Sequence, residues 1–596
     1  MAKTNSKAQK PARAAARKTA AKKSSPAAKP ASKKNASRIA EPAVQGKTRD
    51  KIVGATPDAV SIRMYCHGFG DCFLLIFKTA EEPVFYMLID CGMLTGDSDL
   101  LKTAIADIKE TCGGRLDLVV QTHEHKDHIS GFNLKDDKGE LLWDSIAVDQ
   151  VWLAWTENTR PDGDKLAIEL KRKHNKKKQA LARSLSLYRS FIDDRNNQQE
   201  IRNTFRGDSY LAAQKRYATA LGQVLGFMDI SEQDVLTKAA DPSFEFGLTM
   251  KDAMAYFVNR SKREDGPDIS FWNPGDLASE KQTGLNGINF YFLGPPKDYA
   301  RLRQMEDHTH AEMYLTDMGV SDNYYMALTK NGDSSGSPFH SKYFWSDADC
   351  TRSELDREDH VWTLYHGKKT KAPGDADHAW RKIEIDWLHN AGALALHLDS
   401  YTNNTSLVMA IEFEASGKVL LFPGDAQIGN WMSWTAPAKE GSEEPALKWK
   451  VSRDGKKEII TAEALLERTV FYKVGHHASH NATAKKSGLE LMRSKDLVAM
   501  IPVDQEVAKR QGKRGWKMPA DDLYERLKQK TKGRIIRLDK GNILERAEEK
   551  LPEGSKPTKQ QRDGFSRKVT ESTARIKIDG KLRPLFFEYL LEGDRD

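Results

Sequence analysis

The sequence predicts an α/β protein, because strand patterns and helix patterns alternate along it. Alternating or continuously apolar runs, which are typical of strands, lie at 60–65, 72–77, 84–89 and 116–120. Between the last two, apolar residues at helical spacing predict a helix over 98–111, with Ser98 as its N-cap. Strands and a helix are therefore expected to share one core in the first part of the chain.

Strand patterns return in the second half of the chain. They lie at 288–293, 406–413, 418–422, 471–474, 497–502 and 534–538. Two last runs, 575–580 and 584–590, are expected to form a hairpin through Asp579 and Gly580 at a sheet edge. In between, residues 165–206 are strongly charged but carry apolar residues at helical spacing, which predicts a long helix with one buried stripe.

The positive charge of the chain is concentrated in its N-terminal tail. The 596 residues carry a formal net charge of +8, and residues 1–40 hold twelve lysines and arginines without an acid. The rest of the chain is therefore mildly acidic, at −4, which is twelve below the total of +8. A tail so poor in apolar residues is expected to be disordered. It could hold phosphate backbones by counterion release or serve only as a solubilising extension.

Cysteine usage and hydropathy bear on the compartment. The five cysteines, at positions 66, 72, 91, 112 and 350, form no C-x-x-C pair, which favours a reducing compartment. No stretch approaches eighteen consecutive apolar residues, and the N-terminus lacks the apolar segment of a signal peptide. We therefore expect no membrane insertion and a cytoplasmic location.

The strongest functional signal is a cluster of three histidines and an aspartate directly after the run 116–120. His123 and His125 are two residues apart, so on an extended chain they point the same way and can hold one cation. Asp127 and His128 come after a turn and can face a second cation, as in two-metal sites. Imidazole and carboxylate ligands suit zinc, manganese or iron. The alternative is a polar loop whose histidines only cap and solvate.

This cluster resembles the H-x-H-x-D-H signature of the metallo-β-lactamase superfamily, and further motifs follow in that family's order. They are Phe69–Cys72, Leu88–Gly92, Asn403–Val408, Leu421–Asp425 and Val474–Ser479. Their details are most similar to the hydrolase domain of ComEC-type DNA-uptake proteins and their soluble relatives. The resemblance covers about half of the chain. It implies a metallo-β-lactamase αββα sandwich with two insertions and a disordered basic N-terminal tail.

The resemblance also implies a division of the chain. The expected parts are a basic tail over 1–58, a first core part over 59–133, a mainly helical insertion over 134–283, a core strand over 284–297, a second insertion over 298–390, a second core part over 391–545 and a polar segment with a β-hairpin over 546–596. The first insertion is expected to cover or flank the cleft.

The family pattern assigns roles to later residues. Asp425 is expected to bridge two cations, and His477 is the expected last ligand, although His476 could take that place. Asp90 is expected to support the metal loop without binding a cation. Many family members carry a further histidine upstream of the bridging aspartate. Here that position falls on Asn403 and Asn404, with His397 just before them as a possible substitute, so one ion or two stay open.

The family's chemistry is hydrolysis by a metal-activated hydroxide, and we expect a phosphodiesterase or nuclease acting on DNA or RNA. Asp127 would orient the hydroxide or accept its proton, and His480 could donate a proton to the leaving oxygen or touch a phosphate. A basic run on the predicted helix could steer the polyanion or be a solvated face; it comprises Lys171, Arg172, Lys173, Lys176, Lys177 and Lys178. Alternatives are a small-molecule ester, lactone or lactam hydrolase, and a non-catalytic nucleic-acid-binding protein with a degraded site.

Overall fold

Two eight-stranded sheets form the frame of the described chain, and the fold is mixed α/β. The computed structural model describes residues 54–193, 248–304, 398, 401–437, 447–453, 455–511 and 516–593. The predicted tail up to residue 53, the second insertion after residue 304 and His397 lie outside these ranges. Among the described residues, every helix is too short or too polar to cross a lipid bilayer.

The strands are β1 Ala59–Tyr65, β2 Cys72–Thr79, β3 Glu82–Cys91, β4 Arg115–Gln121, β5 Ala147–Ala154, β6 Asp268–Trp272, β7 Leu277–Ala278, β8 Ile288–Gly294, β9 Val408–Phe413, β10 Lys418–Phe422, β11 Lys448–Arg453, β12 Lys456–Thr461, β13 Thr469–Lys473, β14 Val498–Ile501, β15 Ile535–Arg537, β16 Gly541–Asn542, β17 Val569–Glu571, β18 Arg575–Ile578, β19 Lys581–Pro584 and β20 Phe586–Glu592. The α-helices are α1 Ser98–Thr111, α2 Lys126–Ile129, α3 Lys165–Asp193, α4 Leu248–Arg260, α5 Glu280–Thr283, α6 Tyr299–Leu302, α7 Ile428–Trp434, α8 Ala462–Glu467, α9 Gln505–Arg510, α10 Asp521–Thr531 and α11 Lys559–Lys568.

Both sheets are mixed, with a parallel part that ends at the candidate site. The first sheet has the order β17-β20-β1-β2-β3-β4-β5-β6, and β3 to β6 run parallel. The second has the order β16-β15-β14-β13-β10-β9-β8-β7, and β10, β13, β14 and β15 run parallel. Central parallel strands are buried on both faces, which is why β4, β10 and β14 read as apolar runs in the sequence.

The two sheets pack face to face. The ring centroids of Phe73 in β2 and Phe422 in β10 lie 6.2 Å apart, and those of Trp152 in β5 and Phe290 in β8 lie 5.2 Å apart. The opposite face of the first sheet meets α1, because Tyr65 Oη in β1 donates a 2.6 Å hydrogen bond to Asp107 of that helix. One core therefore lies between the sheets.

A second core lies on the far side of the second sheet. In β9, alternate residues such as Met409 and Ile411 belong to the inter-sheet core. Their neighbours Val408 and Ala410 belong to a separate apolar cluster that includes side chains of α7, α8 and α10. This alternation is the period of two that a strand imposes on its side chains. The predicted mixed α/β class is confirmed.

Two local predictions are wrong. Asp97, not Ser98, caps α1, because its side chain accepts the N–H of Asp99 at 3.0 Å. The Asp579-Gly580 turn joins β18 to β19, whereas β20 pairs with β1 and β17 at the edge of the first sheet. The shorter β19 closes the hairpin, and the apolar side chains of β20 are buried more deeply in the sheet.

The stretch 134–283 also differs from a simple helical insertion. It contains β5 and β6, which extend the first sheet in parallel register, and β7, which pairs with β8 in the second sheet. Between β5 and β6, the described residues include the helices α3 and α4. The helix expected over 165–206 is seen as α3 up to Asp193, and residues 194–206 lie outside the described ranges.

Candidate metal centre

The loop that follows β4 is anchored by Asp90, near the end of the neighbouring parallel strand β3. Thr122 donates its backbone N–H to Asp90 Oδ1 at 2.8 Å and its hydroxyl to Asp90 Oδ2 at 2.6 Å. Asp90 itself has a positive φ of 56°, a conformation that few non-glycine residues adopt. The carboxylate is therefore fixed on the first residue of the loop.

Four predicted ligands come together in one buried cluster. One side-chain atom from each of Asp127, His128, Asp425 and His477 lies within 4.8 Å of the other three. Asp127 and His128 lie in α2, Asp425 follows β10, and His477 follows β13, so three strand ends meet here. All four residues are at most 1 % exposed. We call this set the four-residue cluster.

Both histidines of the cluster are oriented by acceptors behind them. His128 Nδ1 lies 2.7 Å from Asp90 Oδ2, and His477 Nδ1 lies 2.6 Å from the carbonyl of Pro502. These oxygens can only accept, so each Nδ1 carries the hydrogen and each Nε2 faces the cluster. His128 Nε2 is 3.1 Å from Asp425 Oδ2, and His477 Nε2 is 2.8 Å from Asp127 Oδ2. Metal-binding histidines typically have this arrangement.

The carboxylates control the charge of the cluster. Burial alone would lower the pKa of His128, but Asp425, Asp71 and Asp90 outweigh it and raise that pKa well above the ordinary value. Burial would raise the pKa of Asp127, yet His128 and His477 lower it to about 2. Asp127 Oδ1 and Asp425 Oδ2 accept no hydrogen bond from the described residues. Buried anionic oxygens without a donor suit a cation, so the donor set fits a divalent metal.

His123 and His125 lie beside the four-residue cluster and contact each other. His123 Nε2 is 3.1 Å from His125 Nδ1, and the ring centroids of His123 and His128 are 4.2 Å apart. Burial lowers the pKa of His125 to about 4, so its ring is neutral at pH 7. In the part of the chain that the structure describes, no third histidine, cysteine, aspartate or glutamate completes a set with His123 and His125 in which one ligand atom from each residue lies within 4.8 Å of the other two.

The sequence did not single out Lys473 and Asp71, which complete the electrostatics of the site. The Lys473 ammonium forms an ion pair with Asp71, lies 3.4 Å from Asp425 Oδ1 and donates to the carbonyl of Gly424 at 3.0 Å. Both charged side chains are at most 2 % exposed. The available signal was a lysine within the apolar run 471–474, since a buried lysine needs a carboxylate partner.

The turn after β13 presents its two histidines differently. His477 belongs to the four-residue cluster, whereas the half-buried His476 donates its backbone N–H to Asp425 Oδ1 at 2.7 Å. Both have positive φ, 43° for His476 and 51° for His477, so this turn is strained where it supplies the ligand. His480 lies half-buried in the same turn, outside the four-residue cluster.

The two asparagines before β9 are fully buried. Asn404 donates its side-chain N–H to the carbonyl of Gln304 at 3.0 Å and accepts the backbone N–H of Gln427 at 3.0 Å. It therefore ties the segment before β9 to the loop that follows Asp425. The backbone carbonyl of Asn403 accepts from Ser406 at 3.0 Å, and Ser406 Oγ in turn accepts the backbone N–H of Asp425 at 3.0 Å.

The basic run on α3 is divided between the interior and the surface. Lys171 forms ion pairs with Glu124 and, at 3.1 Å, with Glu157, and Lys178 Nζ lies 3.5 Å from Glu124. Lys178 is only 3 % exposed. Arg172, Lys173 and Lys176 are exposed and Lys177 is half-buried. Two of the six predicted nucleic-acid contacts, the half-buried Lys171 and the buried Lys178, are thus paired with acidic residues and fasten α3 to the metal loop.

Neither a scan against protein-family models nor a search of curated proteins found a match for this chain.

Proposed function

We propose that this protein is a metal-dependent hydrolase of the metallo-β-lactamase type, most suited to phosphodiester bonds in DNA or RNA. The observation that carries the proposal is the four-residue cluster, with both Nε2 atoms aimed inward and two carboxylate oxygens lacking donors. The order of motifs along the chain supports the same family, and the packing of two mixed sheets between helices is compatible with its αββα sandwich.

The proposed chemistry assigns a task to each residue. Asp127, His128, Asp425 and His477 would hold a divalent zinc, manganese or iron ion, with His123 and His125 available for a second. Such an ion lowers the pKa of water towards neutrality and offsets negative charge that develops on the substrate. Asp127 Oδ1, which no described residue engages, is placed to orient a water molecule or accept its proton.

The distribution of positive charge supports a phosphodiester substrate. Arg172, Lys173 and Lys176 lie exposed on α3, the helix that Lys171 and Lys178 fasten to the metal loop. The basic tail adds twelve positive charges. Cations on this scale attract a polyanion by counterion release. The motifs of the ComEC-like branch lead to the same substrate class.

A second candidate function is hydrolysis of a small ester, lactone or lactam. The observation that favours it is the burial of the four-residue cluster, whose residues are at most 1 % exposed. A small molecule can enter a closed site, whereas a polymer requires an open groove beside the ion.

The test is a substrate screen of the full chain reconstituted with manganese or zinc. Single-stranded and double-stranded DNA, RNA, bis(p-nitrophenyl) phosphate and p-nitrophenyl acetate are the substrates. Cleavage of nucleic acid, lost in Asp425→Ala and in His128→Ala, is the expected result. Asp504→Ala is the matched control, because Asp504 is a buried aspartate that binds Arg583 and caps α9. Turnover of the acetate alone would select the second candidate, and cleavage that survives both ligand changes would exclude this site.

A further inference from the structure

The cleft between α3 and α6 gathers positive charge from two separate elements. Lys173 and Lys177 are one helical turn apart on α3, so they share a face, and Arg303 follows directly after α6. These three side chains line the cleft together with Tyr299 and Tyr401. Nothing in the assignment of the metal centre uses them.

The aromatic side chains hold these cations in place. Tyr299 lies between two of them, with Lys173 Nζ 5.4 Å and Arg303 Cζ 5.2 Å from its ring centroid. Both distances are within the range of cation–π attraction. On the other wall, Tyr401 stacks on His174 at 5.1 Å with an interplanar angle of 26°. The cleft therefore has defined walls.

Like charges are close enough here to affect one another. Burial, and then the charges of Arg303 and Lys173, lower the pKa of Lys177 to about 8. Lys173 also pairs with Glu169 at 2.6 Å, but both side chains are about half exposed, and such pairs are weak in water. An anion entering the cleft would relieve repulsion among the three cations, so the arrangement favours a ligand with several negative oxygens.

The cleft adjoins the metal loop. A neighbouring cleft that includes Glu124, the residue between His123 and His125, shares Leu170, His174 and Tyr401 with it. Two carboxylates beside the metal loop, Glu124 and Glu157, are bound to Lys171, and Glu124 also pairs with Lys178. These ion pairs fasten α3 next to the metal loop.

We propose that Lys173, Lys177 and Arg303 form an anion-binding subsite that takes a phosphate group beside the metal loop. The inference rests on the proposed function only in identifying that phosphate as part of a nucleic-acid backbone. The same chemistry would take the phosphates of a small free polyphosphate. The subsite itself requires neither a metal ion nor turnover.

The experiment measures binding to the full chain in EDTA, at about 0.15 M salt so that distant charges are screened. The probes are inorganic tripolyphosphate, followed by calorimetry, and a labelled single-stranded oligodeoxyadenylate, followed by fluorescence anisotropy. Lys177→Gln and Arg303→Gln are each expected to weaken tripolyphosphate binding about tenfold, as the loss of a charge-assisted contact does. Lys165→Gln is the matched control, since it removes the same charge from an exposed position at the start of the same helix.

Each outcome decides a different point. Equal weakening in Lys165→Gln, or no weakening in Lys177→Gln and Arg303→Gln, overturns the subsite. Lys177→Arg retains the charge and is expected to retain binding; a loss as deep as in Lys177→Gln would indicate damaged packing and overturn the assignment. If the variants weaken oligonucleotide binding in parallel with tripolyphosphate binding, the ligand is a nucleic-acid backbone. If oligonucleotide binding does not change, the ligand is a small polyphosphate. If the variants bind tripolyphosphate normally and the protein hydrolyses its substrate, the subsite is wrong and the proposed hydrolase function stands. If the variants lose binding but the protein shows no hydrolysis, the subsite stands and the proposed function is wrong.

Discussion

Glu124→Gln tests how the helix α3 is held on the metal loop. Glu124 is 5 % exposed and faces Lys171 and Lys178. Burial alone would raise its pKa, but the two lysines outweigh that effect and hold the pKa well below its ordinary value. Glutamine keeps the size of the side chain and removes its charge, so the substitution leaves Lys178 buried without this carboxylate.

The cost follows from burial. Removing one partner of a buried ion pair costs about 3–5 kcal/mol. We expect the lower end, about 3 kcal/mol, because Lys171 keeps Glu157 at 3.1 Å. A loss of that size makes the opening of α3 more than about a hundredfold easier. Hydrogen exchange of the peptide covering 165–179, measured by mass spectrometry in EDTA, should accelerate by that factor.

The control is Glu169→Gln, which breaks a pair on the solvent side of the same helix. It should leave exchange unchanged, because an exposed ion pair contributes little. The strand β2, in the inter-sheet core, provides an internal reference that neither change should affect. If the peptide covering 165–179 exchanged as slowly in Glu124→Gln as in Glu169→Gln, the ion pairs of Glu124 would not be what holds α3 in place.

Three further predictions concern binding and chemistry. Removing residues 1–50 should leave metal content intact. It should also make the salt dependence of nucleic-acid binding shallower, since a net twelve positive charges are lost. If affinity fell equally steeply with salt for the full and the truncated chain, the tail would take no part in binding. Lys177 is protonated below its pKa of about 8, so the affinity for oligodeoxyadenylate should fall as the pH rises from about 7 to 9. Lys177→Gln should flatten this pH profile, and a variant with the same profile as the unmodified chain would contradict the prediction. His480→Ala should retain residual cleavage, because loss of a general acid typically costs about 10²–10⁴-fold, whereas Asp425→Ala should retain none; identical activities would place His480 among the ligands.

The elements best predicted from sequence are those buried on both faces. The strands β4 and β10 were visible as mainly apolar runs, and the range of α1 was predicted correctly from its apolar stripe. The strands β5 and β6 were missed within the charged stretch 134–283. All described residues of β6 except the exposed Asp268 are half-buried, as at a sheet edge, and such strands have a weaker apolar pattern.

The contacts of the site could be anticipated only in part. A local motif predicted Asp127 and His128, but the ion pair of Lys473 with Asp71 joins residues from distant parts of the chain. The choice of His477 over His476 depends on the carbonyl of Pro502, which comes from the end of another strand. Asp127 and His477 are themselves 350 positions apart. Periodicity reports which side chains are buried, and not which ones meet.

Metal analysis of the purified full chain is the most direct test of the metal centre. The four-residue cluster predicts roughly one to two equivalents of zinc, manganese or iron. The double variant Asp127→Ala/His477→Ala should hold little metal, while the control Asp504→Ala should keep the content of the unmodified chain. An unmodified chain that contains no metal and takes up none from added divalent cations, or a double variant that binds as much as the unmodified chain, would contradict the assignment.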